Sequence, residues 1–169
     1  MSRQDSVTGT QGGGDVARRR RMSVIARSRL ADIEAAWASL GALPAHAFLR
    51  APETGLAMVR ARAGGEGDKF NLGEMTLTRC VVRLDSGETG VGYVQGRSAR
   101  HAELAALADA LAVHPTCAER IEQQVFAPLA ARLEARDRAA RARAASSRVE
   151  FFTMERGAEP GRPGAGGAA

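Results

Sequence analysis

Two apolar-alternating segments, Met75–Leu84 and Thr89–Gln95, are separated only by Asp85-Ser86-Gly87-Glu88. A short run of turn formers between two strand-like segments favours one geometry, an antiparallel hairpin. A further run, Leu56–Arg62, precedes the pair across the Gly-rich stretch Ala63–Gly73, which reads as a flexible loop. The middle of the chain is therefore expected to form a small, mainly antiparallel sheet of three or four strands.

Helical periodicity flanks this sheet on both sides. Met22, Ile25, Ala26, Leu30, Ile33, Ala36, Trp37 and Leu40 share one stripe, with a break expected near Ser28 and a stop at Gly41. Downstream, Ser98 is placed to cap a helix striped by Leu104, Leu107, Ala108 and Leu111. Thr116-Cys117-Ala118-Glu119 fits a capping box. The ridge Ile121, Val125, Leu129 and Leu133 follows, and Pro128 should kink or split that helix. The fold class is α+β: N-terminal helices over 18–40, sheet over 55–96, C-terminal helices over 98–146 and an extended arm over 148–156. One domain is expected over 15–156. Residues 1–14 and 157–169 have too little apolar surface to offset ordering entropy and read as disordered ends.

Neither face of the strands is cleanly polar. Met75, Leu77, Arg79, Val81 and Arg83 alternate with Glu74, Thr76, Thr78, Cys80, Val82 and Leu84. An antiparallel sheet with one wet face shows a sharper split, so the sheet is either curved or covered by a partner. The same choice arises at Val149-Glu-Phe-Phe-Thr-Met154. Phe151, Phe152 and Met154 either dock on the chain's own core or form a partner interface.

The formal charge is +5, and all but one of the 24 basic residues are arginine, the exception being Lys69. Arginine suits anionic partners, but basicity alone selects no function. A nucleic-acid module is one reading of the charge and of Arg18–Arg21. The chain's single Trp and single Tyr offer it little stacking surface. Arg18–Arg21 also sits where positive charge opposes the helix dipole, so the run is frayed or held by an anionic partner. No run of about 18 apolar residues is present to span a membrane, and a cytoplasmic location is expected.

The search for chemistry returns no catalytic constellation. Cys80 and Cys117 lack His or Cys neighbours at metal-ligand spacing, and no metal site is expected. Gly64-Gly65-Glu66-Gly67-Asp68-Lys69 lacks the phosphate-loop order, because Phe70 follows Lys69. Arg60, Arg62 and Arg79 come from strands and are candidates for an anion-binding surface or for structural ion pairs. His101 opens a helix and is a candidate capping or interface residue.

Several segments together carry a resemblance. They are Arg50-Ala-Pro-Glu-Thr-Gly-Leu-Ala-Met-Val-Arg60, Gly64-Gly65-Glu66-Gly67, Asn71–Cys80, Gly92-Tyr-Val-Gln-Gly-Arg97, His101-Ala-Glu-Leu104 and Val149–Met154. Over roughly residues 18–157 the chain resembles PhnG, a subunit of the bacterial carbon–phosphorus lyase system. The resemblance implies an accessory subunit in a transferase that displaces adenine from ATP with a phosphonate. The product implied is α-D-ribose 1-methylphosphonate 5-triphosphate. It further implies PhnI, PhnH and PhnJ as partners, with PhnL for the synthase reaction and the nucleosidase activity on PhnI. ATP with Mg and a phosphonate would be substrates of the complex, with no cofactor bound by this chain alone. An autonomous phosphate-handling enzyme is the other competing reading.

Overall fold

The computed structural model describes residues 11–63 and 66–146. Helix α1 spans Gln11–Arg27 and α2 spans Leu30–Ala38. The break expected near Ser28 is present: its amide and hydroxyl both bond the Val24 carbonyl, closing α1. Residues 11–14, expected outside the domain, are the first turn of α1. Once a helix is anchored by packing downstream, each added residue gains a hydrogen bond, and the helix extends backward. Arg18–Arg21 consequently lies inside the helix, not on its first turn. The proposed arm 148–156, with Phe151, Phe152 and Met154, lies outside the described residues.

The sheet has three antiparallel strands in the order β1-β2-β3, with β1 at His46–Arg62, β2 at Lys69–Leu84 and β3 at Thr89–Gln95. β3 and the C-terminal end of β2 match the sequence reading. Between them, the Gly87 amide donates to the Leu84 carbonyl, and Gly87 takes a φ of 109° that suits glycine. β1 begins ten residues before the expected Leu56 start, at His46. Pro52 cannot donate to a ladder and would disfavour an inner strand there. β1 is an edge strand, however, and its register slips between Phe48 and Arg50 and again between Arg50 and Glu53, so the proline interrupts no inner ladder. β2 likewise starts at Lys69, so residues 69–73 of the expected loop are strand.

Helix α3, Ala99–Leu111, lies on one face of β2 and β3. The Ser98 hydroxyl caps it, accepting from the His101 amide. Contact is close because small residues meet. A Cβ on Gly90 would sit 2.0 Å from the Ala106 carbonyl oxygen, and one on Gly92 would sit 2.2 Å from that of Ala102. Cys80, Val82, Leu84 and Val94 supply the sheet's share of the core, with Leu104, Leu107 and Leu111 from α3.

The remaining core is helical. α4, Ala118–Ile121, runs through a π turn at Glu122–Phe126 into α5, Ala127–Ser146. Pro128 has no N–H to donate to the preceding turn, and the π turn is the disruption expected of it. Ile121, Val125, Leu129 and Leu133 are buried as their spacing requires. The expected capping box is absent. Cys117 is the N-cap with no side-chain capping bond, and the Thr116 hydroxyl meets His114 Nδ1. The turn at Pro115 brings that imidazole within reach and diverts the hydroxyl. Arg27–Asp137 and Arg132–Asp32 ion pairs join α5 to α1 and α2.

Candidate functional site

The sheet positions every strand-borne candidate. β1 and β2 stay paired from Leu84 down to Lys69, whereas β3 pairs with β2 only from Leu77 to Arg83. The far half of the β1–β2 hairpin therefore extends past the body as a two-stranded ribbon. Arg60 pairs with Asn71 and Arg62 with Lys69 near its tip. Arg62 donates to the Gly67 carbonyl at 3.0 Å. Among the described residues, no acid lies in ion-pairing distance of Arg60 or Arg62.

Arg79 is elsewhere. Seven residues nearer the body than Leu72, it stands directly opposite Glu53 on β1 and Tyr93 on β3. Its Nε bonds the Glu53 carboxylate, which Arg50 also grips. These bonds, from Arg79 first and Arg50 second, hold the Glu53 carboxyl below the ordinary carboxylate range. The structure thus places Arg60 and Arg62 together at the tip and leaves Arg79 in a cross-strand ion pair. Around that pair is a shallow depression lined by Glu53, Gly55, Leu56, Leu77, Arg79 and Tyr93.

On the helix-covered face the Thr78 hydroxyl donates to the Gly96 carbonyl at 2.7 Å, so at its 3.1 Å contact with Thr54 it accepts. That contact fixes which way β1 faces. Leu56 and Met58, at alternate positions beyond Thr54, share the α3 side of the sheet but lie outside the cover of α3.

His101 is not on a surface. It is buried, and its Nε2 donates to the Ile25 carbonyl at 2.9 Å, tying α3 to α1. The arginine run has an internal anion. Arg18 binds both carboxylate oxygens of Asp109, and the same carboxylate accepts from the Val91 amide on the free edge of β3. Asp109 was missed from sequence, although a lone acid in the apolar run Leu104–Leu111 is itself a signal that a cationic or hydrogen-bonding partner reaches it. Arg18, Arg27, Arg79 and Arg132 are each paired to an acid, so these four are committed within the fold.

Among the described residues, no group of three or more His, Cys, Asp or Glu side chains is placed to hold a metal ion. Nor is any described helix long and apolar enough to cross a membrane. The Cys80 thiol is buried, and burial first and the Glu103 charge second push its pKa up to about 11, away from nucleophilic use.

Residues 16–157 match the family described as "Phosphonate metabolism protein PhnG". The chain is similar to the "Alpha-D-ribose 1-methylphosphonate 5-triphosphate synthase subunit PhnG" of Rhizobium meliloti (strain 1021). The two are 44% identical over 156 residues, which cover 90% of this chain and 97% of the relative.

Proposed function

The chain belongs to the PhnG family of phosphonate metabolism proteins, and on that premise we propose that it is an accessory subunit of an α-D-ribose 1-methylphosphonate 5-triphosphate synthase. The observation that carries this reading is the 44% identity to a synthase subunit along 97% of that subunit's length. The reaction joins a phosphonate oxygen to the ribose anomeric carbon of ATP while the bond from that carbon to adenine breaks. ATP with Mg and the phosphonate are substrates of the assembly, and the partners are PhnI, PhnH and PhnJ, with PhnL for this step. The nucleosidase chemistry belongs to PhnI. The location is the cytoplasm.

Such a reaction gathers polyanions around a centre that turns cationic. A subunit without acid–base groups contributes by fixing geometry and neutralising charge. Arg60 and Arg62 are the candidates for that task, because no described acid is within ion-pairing distance of either. Arg79 serves structure through Glu53. Affinity purification of the tagged full chain from phosphate-starved cells tests the reading. Stoichiometric recovery of the other phosphonate-system subunits is expected. Recovery of the chain alone, or with unrelated proteins, would refute it.

A further inference from the structure

Helices α1 and α5 run side by side in the same direction. Arg20 and Val24 line one hollow with Phe126 and Ala130, and Arg27 lines the next with Leu133 and Asp137. The two hollows share Arg20, Val24, Ala130 and Glu134, so they form one continuous groove. Its least exposed lining side chains are Val24, Phe126 and Leu133. Arg21 stands in its wall with a buried Nε that has no acceptor among the described residues. A buried N–H of this kind ordinarily has a partner.

Charge selects no occupant. Around the lining, Arg20, Arg21 and Arg27 are balanced by Glu122, Glu134 and Asp137. Segment 148–156 is balanced too, with Arg148 and Arg156 against Glu150 and Glu155. Connectivity does select one. α5 is itself a wall of the groove and runs on from Asp137 to Ser146, about 13 Å at the helical rise. Its side chains from 138 to 146 are all exposed. From Ser146 back to the level of Leu133 is about 20 Å, which takes roughly six extended residues; back to Phe126 is about 30 Å, which takes roughly nine. The first distance brings Phe152 to Leu133. The second brings Glu155 to the level of Arg21, and a turn at Ser146-Ser147 shortens the reach by less than the arginine side chain can span. Val149, Phe151, Phe152 and Met154 make the segment apolar enough to need cover. Tethered beside the groove, it competes at an effective concentration on the order of millimolar, which a second copy or another protein would have to exceed.

We propose that residues 147–156 fold back antiparallel to α5 and occupy the α1–α5 groove. Phe151 and Phe152 lie over Val24, Ala130 and Leu133, and the Glu155 carboxylate accepts from Arg21. The claim stands apart from the subunit reading above.

The test is disulfide trapping in the full chain, with the linked positions mapped by mass spectrometry. Phe152→Cys with Ala130→Cys should close an intramolecular bond roughly tenfold faster than Phe152→Cys with Ala135→Cys. Ala135 is exposed on the same helix, outside the groove lining. Independently, Phe151→Ser/Phe152→Ser should lower the urea midpoint of the full chain by the same amount at every protein concentration. Equal closure rates for the two pairs would overturn the proposal. Should the Ala130→Cys protein fail to fold, an unchanged midpoint in Phe151→Ser/Phe152→Ser would overturn it instead. Disulfide-linked dimers in place of the intramolecular bond would hand the groove to a second copy. A preference for Ala130→Cys that arises only after other synthase subunits are added would make the seat a product of assembly. Either of these results also overturns the claim.

Discussion

Arg18 reaches across 91 sequence positions to Asp109, donating from Nε at 2.9 Å and from Nη2 at 2.6 Å to its two carboxylate oxygens. Asp109 is 5% exposed on its side chain and also accepts the Val91 amide at 3.0 Å. One carboxylate therefore joins α1, α3 and the free edge of β3. Covering that edge removes one of the sheet's two sites for unwanted pairing. Asp109→Ala leaves the half-buried Val91 amide and the partly exposed Arg18 guanidinium without their acceptor, and should cost about 2 kcal/mol in urea unfolding. Arg18→Ala should cost somewhat less, because the carboxylate keeps the Val91 amide. A double variant no worse than Asp109→Ala alone would show the coupling; strict additivity would deny it.

Gly90 and Gly92 set how closely α3 lies on the sheet. Gly90→Ala places a methyl 2.0 Å from a backbone oxygen and 2.4 Å from the Ala110 amide nitrogen. Backbone cannot step aside as a flexible side chain does, so a loss of about 3 kcal/mol is expected. Gly55→Ala, with nothing within 4 Å, should be near neutral. Equal melting temperatures for Gly90→Ala and wild type would refute this packing.

Glu53 should titrate below its ordinary value of 4.5 because Arg79 and Arg50 hold the charged form. With the folded pKa depressed, its stabilising contribution is complete above 4.5 and fades as pH falls through the folded value. A carboxyl-carbon NMR titration should show this low midpoint, and Arg79→Gln should move it upward. An ordinary midpoint in the wild type would remove the cross-strand pair.

Cys80 gives the opposite end of the pH scale. Its folded thiol ionises near 11 against about 9.0 for a free one. The unfolded chain then loses its proton first, so stability is full below pH 9 and erodes between 9 and 11. Urea midpoints should fall across that window, and fall less in Cys80→Ala. At pH 8 the native thiol should resist alkylation that the unfolded chain accepts. Rapid native alkylation would contradict the burial.

The hairpin turn at Asp85–Glu88, the break at Ser28, the Ser98 cap and the ridge from Ile121 to Leu133 were legible because each is set by residues within a few positions of one another. What stayed illegible is long-range. Pro52 reads locally as a strand breaker, and only its place on an edge strand between register slips admits it. The Gly90 and Gly92 seats become meaningful once Ala102, Ala106 and Ala110 lie over them. Thr116 and Glu119 have capping-box spacing, yet the nearby His114 imidazole takes the hydroxyl. Of the site candidates, residue type alone grouped Arg60, Arg62 and Arg79; strand register separates the third from the other two.

The central claim is that this chain is required by a synthase without being its catalyst. Reconstitution from purified subunits, with ATP, Mg and methylphosphonate, tests it by following adenine release and the new ribosyl phosphonate. Turnover should be absent with this chain alone, absent or severely reduced when only this chain is omitted, and restored on adding it back. Full turnover without it, or turnover by it alone, would contradict the account.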